Sequence, residues 1–325
     1  MAFSRRESED KMGKMAVGVV GCGFWGRQHV RVFSSLGNVV VKAVSDIDLQ
    51  RARSVAREYG VPKVFDDNTK LFENPSIEAI SICTPTTTHW EVAEQAVGSG
   101  KHVFVEKPLC DTSEQARLLV AKAERMGVKM MPGYIERFNP GLQRVMTLLS
   151  EGSLGEVVLL FARRVGRWPD RVGDVGVVKD SAIHDLDLAR YVFGGEPVSV
   201  FGRVGCLNHR FEDFAEITLV FPGVRTAFIE ANWLTPRKIR RMTVTGKEAV
   251  VDLDFLSQEV VLENASGATR LGGGCVEPLV LELEHFVDCV LRDVDPRVTG
   301  VDGLRALELA ESALRSSSTG EVVHL

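Results

Sequence analysis

The sequence predicts two domains: a doubly wound α/β domain of parallel strands over residues 15–135, then an α+β domain on a largely antiparallel sheet over residues 136–325. Three observations carry this. Short, near-continuous Val/Ile runs alternate with helical stretches in the first part, as in parallel strands buried on both faces. A Gly-x-Gly-x-x-Gly loop closes the first of those runs. After Gly155 the chain shifts to strands rich in β-branched residues, with turn signals between them. At 325 residues the chain is too long for one typical domain and suits two.

Taken in order, residues 1–14 lack an apolar stretch and read as a flexible tail rather than a secretory signal. Strands follow at 16–20, 39–44, 79–82, 102–105 and 128–131. Helical patterns lie between them, at 48–59 and at 112–126. The latter opens on the capping-box pair Thr112 and Gln115 and stops at Gly127. In the second domain, strands are predicted at 157–165, 199–204, 215–221, 226–233, 241–245 and 249–253. Turns fall at Pro222-Gly223, Thr245-Gly246 and Ser266-Gly267. Two helices, 278–291 and 303–316, close the chain.

Composition narrows the function classes. With 45% hydrophobic residues the chain can build a sizeable core without disulfide or metal staples. The balance of 39 basic against 44 acidic residues, net −5, lacks the basic excess of a nucleic-acid binder. No apolar run approaches the roughly 18 residues of a membrane span. The six cysteines form no C-x-x-C pair, which fits a reduced, cytoplasmic setting.

The sharpest motif is Gly21-Cys22-Gly23-Phe24-Trp25-Gly26, placed after a strand and opening a helix. The first glycine suits a tight turn, the second lets a pyrophosphate approach the backbone, and the third lets helix and strand pack closely. The helix N-terminus then offers N–H groups and a positive dipole end to phosphates. Asp46 follows the second strand, 20 positions after Gly26, where its carboxylate would accept from the adenosine ribose hydroxyls. That favours NAD over NADP, although Arg51 and Arg53 stand close enough in sequence to attract a 2′-phosphate. The bland alternative makes the glycines a turn and Asp46 a helix cap.

Three further groups could do chemistry. Cys83-Thr84-Pro85-Thr86-Thr87-Thr88-His89 follows a strand at the ligand edge of such a sheet, or is a plain capped turn. Glu106-Lys107-Pro108 ends another strand at that edge, with proline restricting the lysine backbone. Asp180 and His184 share one face if their segment is helical, and histidine suits proton transfer near neutral pH. A surface helix is the alternative there, and no further ligand at metal spacing accompanies the pair. Arginines cluster at Arg163, Arg164, Arg167 and Arg171, and again at Arg237, Lys238, Arg240 and Arg241. Strand alternation puts Arg163 and Arg164 on opposite faces, so they matter as a clamp only in part, and only if the substrate carries phosphates.

The ordered set of Gly21–Gly26, Asp46, Thr84-Pro85, Glu106-Lys107-Pro108 and Asp180-x-x-x-His184 resembles the Gfo/Idh/MocA oxidoreductase family. The resemblance implies a Rossmann domain followed by a domain with a large open sheet that often forms the subunit interface, in a homodimer or homotetramer. It implies an NAD(P)-linked alcohol or sugar dehydrogenase without a metal. On this reading Gly21, Gly23, Phe24, Trp25, Gly26, Asp46, Thr84, Pro85, Thr86, His89, Glu106 and Lys107 hold the cofactor. Lys107, Tyr134, Arg137, Asn139, Arg164, Asp180 and His184 meet the substrate. His184 is the general base, Lys107 stabilises developing alkoxide charge and Asp180 orients, in a site assembled from both domains. The segments from Gly133 to Pro140, from Arg164 to Gly176 and from Asn232 to Pro236 are similar to those of the branch that oxidises the C3 hydroxyl of UDP-N-acetylhexosamines. Tyr134 stands where that branch has histidine, Val175-Gly176 replaces a Gly-Gly, and Lys179 replaces an apolar residue. Other readings are a dehydrogenase of a free sugar or a cyclitol such as inositol, and a non-catalytic NAD-sensing protein on the same scaffold.

Overall fold

A computed structural model describes residues 14–169, 173–273 and 276–325. The expected tail, apart from Lys14, and Arg171 and Cys275 lie outside them. The chain divides into two compact units, one running to Gly133 and including Leu279–Val301, the other formed by Tyr134–Pro278 and Asp302–Leu325.

The first unit is a six-stranded parallel sheet with strands β1 (Met15–Val20), β2 (Val39–Ser45), β3 (Lys63–Phe65), β4 (Ala79–Ile82), β5 (His102–Glu106) and β6 (Met130–Gly133). Their spatial order is β3-β2-β1-β4-β5-β6, a doubly wound arrangement. Every residue of β1 is buried, as its unbroken apolar run requires at the sheet centre. Helices α1 (Phe24–Ser35), α2 (Leu49–Tyr59), α3 (Thr69–Phe72), α4 (His89–Gly98) and α5 (Ser113–Met126) provide the crossovers. Thr112 and Gln115 close the expected capping box on α5, and Gly127 ends it in the left-handed region at φ 65°. The last strand starts two residues later than the apolar run suggests, because Gly127 and its successors first leave the helix. Strand β3 has three residues, too few for a periodicity to show.

The second unit carries a nine-stranded sheet. Its strands are β7 (Val157–Arg167), β8 (Ser199–Gly205), β9 (Phe214–Val220), β10 (Thr226–Asn232), β11 (Leu234–Gly246), β12 (Ala249–Asp254), β13 (Glu259–Asn264), β14 (Gly267–Leu271) and β15 (Val323–His324). The order is β14-β13-β12-β11-β7-β10-β9-β8-β15, with β7 and β10 parallel and the other pairs antiparallel. Helices α6 (Pro140–Ser150) and α7 (Ile183–Phe193) cover one face. Register fixes which side chains share a face. Arg240, Met242 and Val244 on β11 face inward beside Arg164, Ala162 and Leu160 on β7, while Arg241 and Thr243 face outward beside Arg163 and Phe161. Strands β13, β14 and β15 are additions to the predicted set: β14 is the exposed edge with one apolar end residue, Leu271, β13 beside it carries only the short run Val260-Val261-Leu262, and β15 has two residues.

Helix α8 (Pro278–Arg292) lies almost wholly in the segment Leu279–Val301, which groups with the first unit although the sequence places it in the stretch 136–325. Leu279, Leu283, Phe286 and Val287 are its buried stripe, and the Phe286 ring meets Phe104 of β5 edge-on with centroids 5.7 Å apart. Helix α9 (Gly300–Thr319) then returns the chain to the second unit, where Leu309, Ala310 and Ala313 enter the core. A Cβ at Gly202 on β8 would lie 2.4 Å from the Ala313 carbonyl, so glycine permits that close approach. Among the described residues no helix is long and apolar enough to cross a membrane.

Candidate active site

The glycine loop sits where the sheet order reverses, between β1 and β4. Gly21 has φ 86°, and a Cβ there would lie 2.7 Å from the Cys83 carbonyl carbon. A Cβ on Gly26 would come within 1.6 Å of the Gly21 oxygen. These two glycines serve packing. Gly23 differs: an added Cβ meets no protein atom within 4 Å, so its surroundings are open. Gly23 is also the N-cap of α1, and no side chain caps that helix, leaving its first-turn N–H groups to an anion. Beside the loop a groove of about 640 Å³ is lined by Gly23, Phe24, Arg51, Ser54, Glu58 and Tyr59, with Phe24 exposed at its rim and Trp25 half-buried.

Asp46 is buried and already holds the loop: Oδ2 accepts from the Cys22 N–H at 2.7 Å and Oδ1 from the Asp48 N–H at 2.8 Å. Its remaining lone pairs are those a ribose hydroxyl would use. Arg51 Nη1 lies 3.4 Å from Oδ2, so this arginine pairs with the acid rather than standing apart as a phosphate ligand. Burial, then the Asp46 charge, pushes the Cys22 thiol up to about 12, which keeps it protonated and structural. An uncapped helix end, an open second glycine and a seated acid fit NAD.

Thr84 and Pro85 follow β4, and Thr86 is buried in the short 3₁₀ turn after them. His89, expected at the cofactor, is buried with both ring nitrogens near backbone carbonyls: Nδ1 2.8 Å from Pro108 O and Nε2 2.9 Å from Thr84 O. It ties the Thr84 loop to the segment carrying Lys107, an internal task. The Lys107–Pro108 peptide is cis, and Lys107 is largely buried at the end of β5. Glu106 is held by a residue the sequence reading missed. His29, fully buried on α1, places Nε2 3.0 Å from Glu106 Oε1 and Nδ1 2.8 Å from Ser81 Oγ. Burial works to raise the Glu106 pKa, but the His29 hydrogen bond and the charges of His29, Lys107 and His89 outweigh it, and the carboxyl lies below its ordinary value. The signal for His29 was a histidine on the buried stripe of α1, a position that demands polar partners.

In the second unit Asp180 lies in a π turn, Val178–Ala182, that runs directly into α7 with His184 in its first turn. Such widened turns recur at functional sites. Gly176 makes room for it: a Cβ there would sit 2.0 Å from the Glu212 carboxyl carbon, whose Oε1 accepts from the Val178 N–H at 3.3 Å. Asp180 and His184 are both buried. The Tyr134 ring stands edge-on to His184 with centroids 6.1 Å apart, and its hydroxyl is buried with no hydrogen-bond partner among the described residues. An orphaned hydroxyl costs roughly 1–3 kcal/mol, a penalty that a bound polar group removes. Burial pushes the Tyr134 pKa well up, so the hydroxyl stays a neutral donor.

Three residues expected at the substrate make buried polar contacts within the second unit. Arg137 gives a fork to Asp187 at 2.7 and 2.5 Å and reaches Asp302 at 3.0 Å. Arg164 forks onto Asp185 at 2.8 and 2.9 Å and donates to Glu136 at 2.8 Å. In both, burial works to lower the pKa, and the paired carboxylates overcome it and raise it. Asn139 caps α6, accepting from the Gly141 N–H at 3.0 Å and donating to the Phe255 carbonyl at 3.1 Å. Arg163, on the opposite face of β7, is half-buried and pairs with Glu230 at 2.7 Å.

Residues 15–134 match the model of an oxidoreductase family with an NAD-binding Rossmann fold, and residues 142–252 match that of the GFO/IDH/MocA C-terminal domain. The chain is 31% identical to scyllo-inositol 2-dehydrogenase (NAD(+)) of Bacillus subtilis (strain 168), over 94% of this chain and 95% of that protein. It is 28% identical to UDP-N-acetylglucosamine 3-dehydrogenase of Acidithiobacillus ferrooxidans, over 91% and 95% respectively. A solved structure of UDP-N-acetylglucosamine 3-dehydrogenase from A. ferrooxidans matches with a TM-score of 0.86 at 27% identity, covering 95% of this chain and 99% of that one.

Proposed function

Since the chain belongs to the Gfo/Idh/MocA oxidoreductase family, we propose that it oxidises the C3 hydroxyl of a UDP-N-acetylhexosamine with His184 as general base. At the coarser level it is an NAD-dependent dehydrogenase acting on CH–OH groups of sugars or cyclitols. Bound NAD supplies the hydride acceptor. Gly21, Gly23 and Gly26 shape the phosphate site with the α1 N-terminus, Asp46 takes the ribose hydroxyls, and Thr84 and Pro85 border the ligand edge of the sheet. His184 removes the hydroxyl proton, Asp180 orients the substrate, and the Tyr134 hydroxyl donates to it. Lys107 steadies negative charge on the oxygen as the proton leaves.

The buried, partnerless Tyr134 hydroxyl beside His184 is the observation that carries this reading, since it leaves a donor waiting for a polar ligand at the proposed base. The segments around Tyr134 and Trp233 and the relative from A. ferrooxidans support the nucleotide sugar. A free cyclitol is the second reading, favoured by the 31% identity to the inositol enzyme. NADH formation over UDP-N-acetylglucosamine, its uronic acid, UDP-glucose, glucose and myo-inositol, with a carbonyl trap, separates them. Turnover confined to UDP-sugars and lost by orders of magnitude in His184→Ala and Lys107→Ala is the expected result. Activity on free polyols alone selects the cyclitol. Near wild-type turnover in both variants overturns the assignment of roles, and silence across the panel with intact NAD binding favours a sensor.

The outward face of the second sheet fits a second copy of the chain, in a homodimer or homotetramer. Phe161, Phe228 and Phe201 lie in one row across β7, β10 and β8, each over two-fifths exposed. The next row holds Arg241, Arg163, Glu230, Glu216 and Arg203, mixed charges that suit a self-complementary contact.

A further inference from the structure

Arg240 and Arg164 are direct cross-strand neighbours on β11 and β7, and both side chains point to the inner face. Like charges facing each other across a ladder are destabilising, so each needs carboxylates of its own. Arg164 has them: Asp185 takes its fork, and Glu136 Oε1 accepts its Nη1 at 2.8 Å. Arg240 is left with a share. Among the described residues its side chain has one hydrogen-bond partner, that same Glu136 Oε1, at 3.4 Å. A third of the side chain is exposed, whereas Arg164 shows 5%. The guanidinium therefore has most of its five donors uncommitted while its outer part reaches solvent.

The electrostatics agree with the geometry. Burial and the Arg164 charge lower the Arg240 pKa, and Glu136, Asp185 and Asp180 together do not bring it back. Arg137, Arg164 and Arg190 go the opposite way. Arg240 is thus a cation short of negative charge, close enough to Asp180 to feel it. A second acceptor at this point would repair the imbalance, and a planar fork is the group best matched to two oxygens of a phosphate or carboxylate.

We infer that Arg240 is a specificity-determining residue that holds an oxyanion of the substrate, phosphate or carboxylate, on the Asp180 side of the second unit. This rests on the reading of the substrate as a nucleotide sugar. A neutral polyol offers nothing for this guanidinium beyond ordinary hydrogen bonds. An oxyanion there would sit between Arg240 and solvent, with Arg164 behind it adding field without contact.

The test compares wild type, Arg240→Met and Arg240→Lys, with and without the anion on the substrate. Substrates are UDP-N-acetylglucosamine, its uronic acid, N-acetylglucosamine and scyllo-inositol. UDP-N-acetylglucosamine binding to the NADH-loaded protein is measured by calorimetry. Arg240→Met should raise KM and Kd for the UDP-sugars about tenfold or more, with kcat within about threefold and the NAD KM unchanged. Arg240→Lys should recover part of the loss. A larger effect on the uronic acid than on UDP-N-acetylglucosamine assigns the carboxylate, and equal effects assign the diphosphate. If wild type turns over UDP-sugars and Arg240→Met binds them as tightly, the inference about Arg240 is wrong while the substrate reading stands. If wild type accepts only N-acetylglucosamine or scyllo-inositol, both fall. Folding is controlled by the thermal midpoint, which Arg240→Met should keep, since it relieves repulsion of Arg164 and leaves Glu136 its shorter bond.

Discussion

His29 Nε2 donates to Glu106 Oε1 at 3.0 Å, and the other Glu106 oxygen accepts from the Lys107 backbone N–H at 3.2 Å. A residue one turn into the helix of the glycine loop thereby fixes the strand end from which Lys107 projects. The same carboxylate serves both halves of the cofactor edge. Its burial makes the link stiff, because a low-dielectric setting strengthens hydrogen bonds and punishes their loss.

Replacing His29 by Ala leaves that carboxylate buried without its donor and opens a gap among Phe33, Phe104 and Trp25. The loss is expected at roughly 1–3 kcal/mol for the orphaned acceptor alone. Urea denaturation should show it as a lower midpoint. The kcat should fall with it, since the carboxylate that accepts from the Lys107 backbone N–H loses the donor that holds it in place. A variant as stable and as fast as wild type would sink the link.

Acid stability follows from the lowered Glu106 pKa. The sign is that of a depressed carboxyl: its contribution is complete above the ordinary value of 4.5 and is lost as pH falls through the lower folded value. Glu106→Gln removes that dependence. The variant should be less stable near pH 7, and its midpoint should fall less than that of wild type between about pH 4.5 and pH 3.

The second and third glycines of the loop separate binding from packing. Gly26→Ala puts a methyl 1.6 Å from the Gly21 oxygen and should prevent the loop from folding. Gly23→Ala meets no protein atom and should melt like wild type while weakening NAD at least about tenfold, or about 1.4 kcal/mol. Calorimetric NAD titration alongside thermal melts checks both. Normal NAD affinity in Gly23→Ala would remove the pyrophosphate from this loop.

Tyr134→Phe deletes a hydroxyl that has no partner among the described residues. The free protein should be as stable as wild type or slightly more so, while the sugar KM rises several-fold. A destabilised variant with an unchanged KM would make the hydroxyl structural. Arg137→Met behaves in the reverse sense. It takes the forked partner from buried Asp187 and leaves Asp187 and Asp302 to Arg190, 3.6 and 3.4 Å away, costs roughly 3 kcal/mol, and is read in the melting curve rather than in KM.

The parallel strands, the glycine loop, Asp46 and the Glu106-Lys107-Pro108 end were legible because each is local: a run, a spacing, a strand terminus. The ion pairs of the arginines were not. The resemblance places Arg137 and Arg164 at the substrate, but nothing local shows that their acids arrive from α7, 50 and 21 positions away, and only the packed structure pairs them. Arg240 looked like its neighbours Arg237 and Arg241. Register against Arg164 makes it different, and register is a property of two strands together. The edge strand β14 escaped because its exposed residues carry no alternation, and β13 because its apolar run is only three residues long.

The return of Leu279–Val301 to the first unit has a consequence for synthesis. A ribosome that has released residues up to Gly133 has delivered all six strands of the parallel sheet but not Phe286, the ring that packs edge-on against Phe104. The cofactor-binding part is thus translated before strands β7 to β14 of the second unit and finished after them. It waits, with an apolar face uncovered, through the emergence of more than a hundred further residues. A gene cut after Gly133 would yield a fragment that chaperones and proteases treat as incomplete, whereas one that splices 279–301 back onto it would carry its own cover.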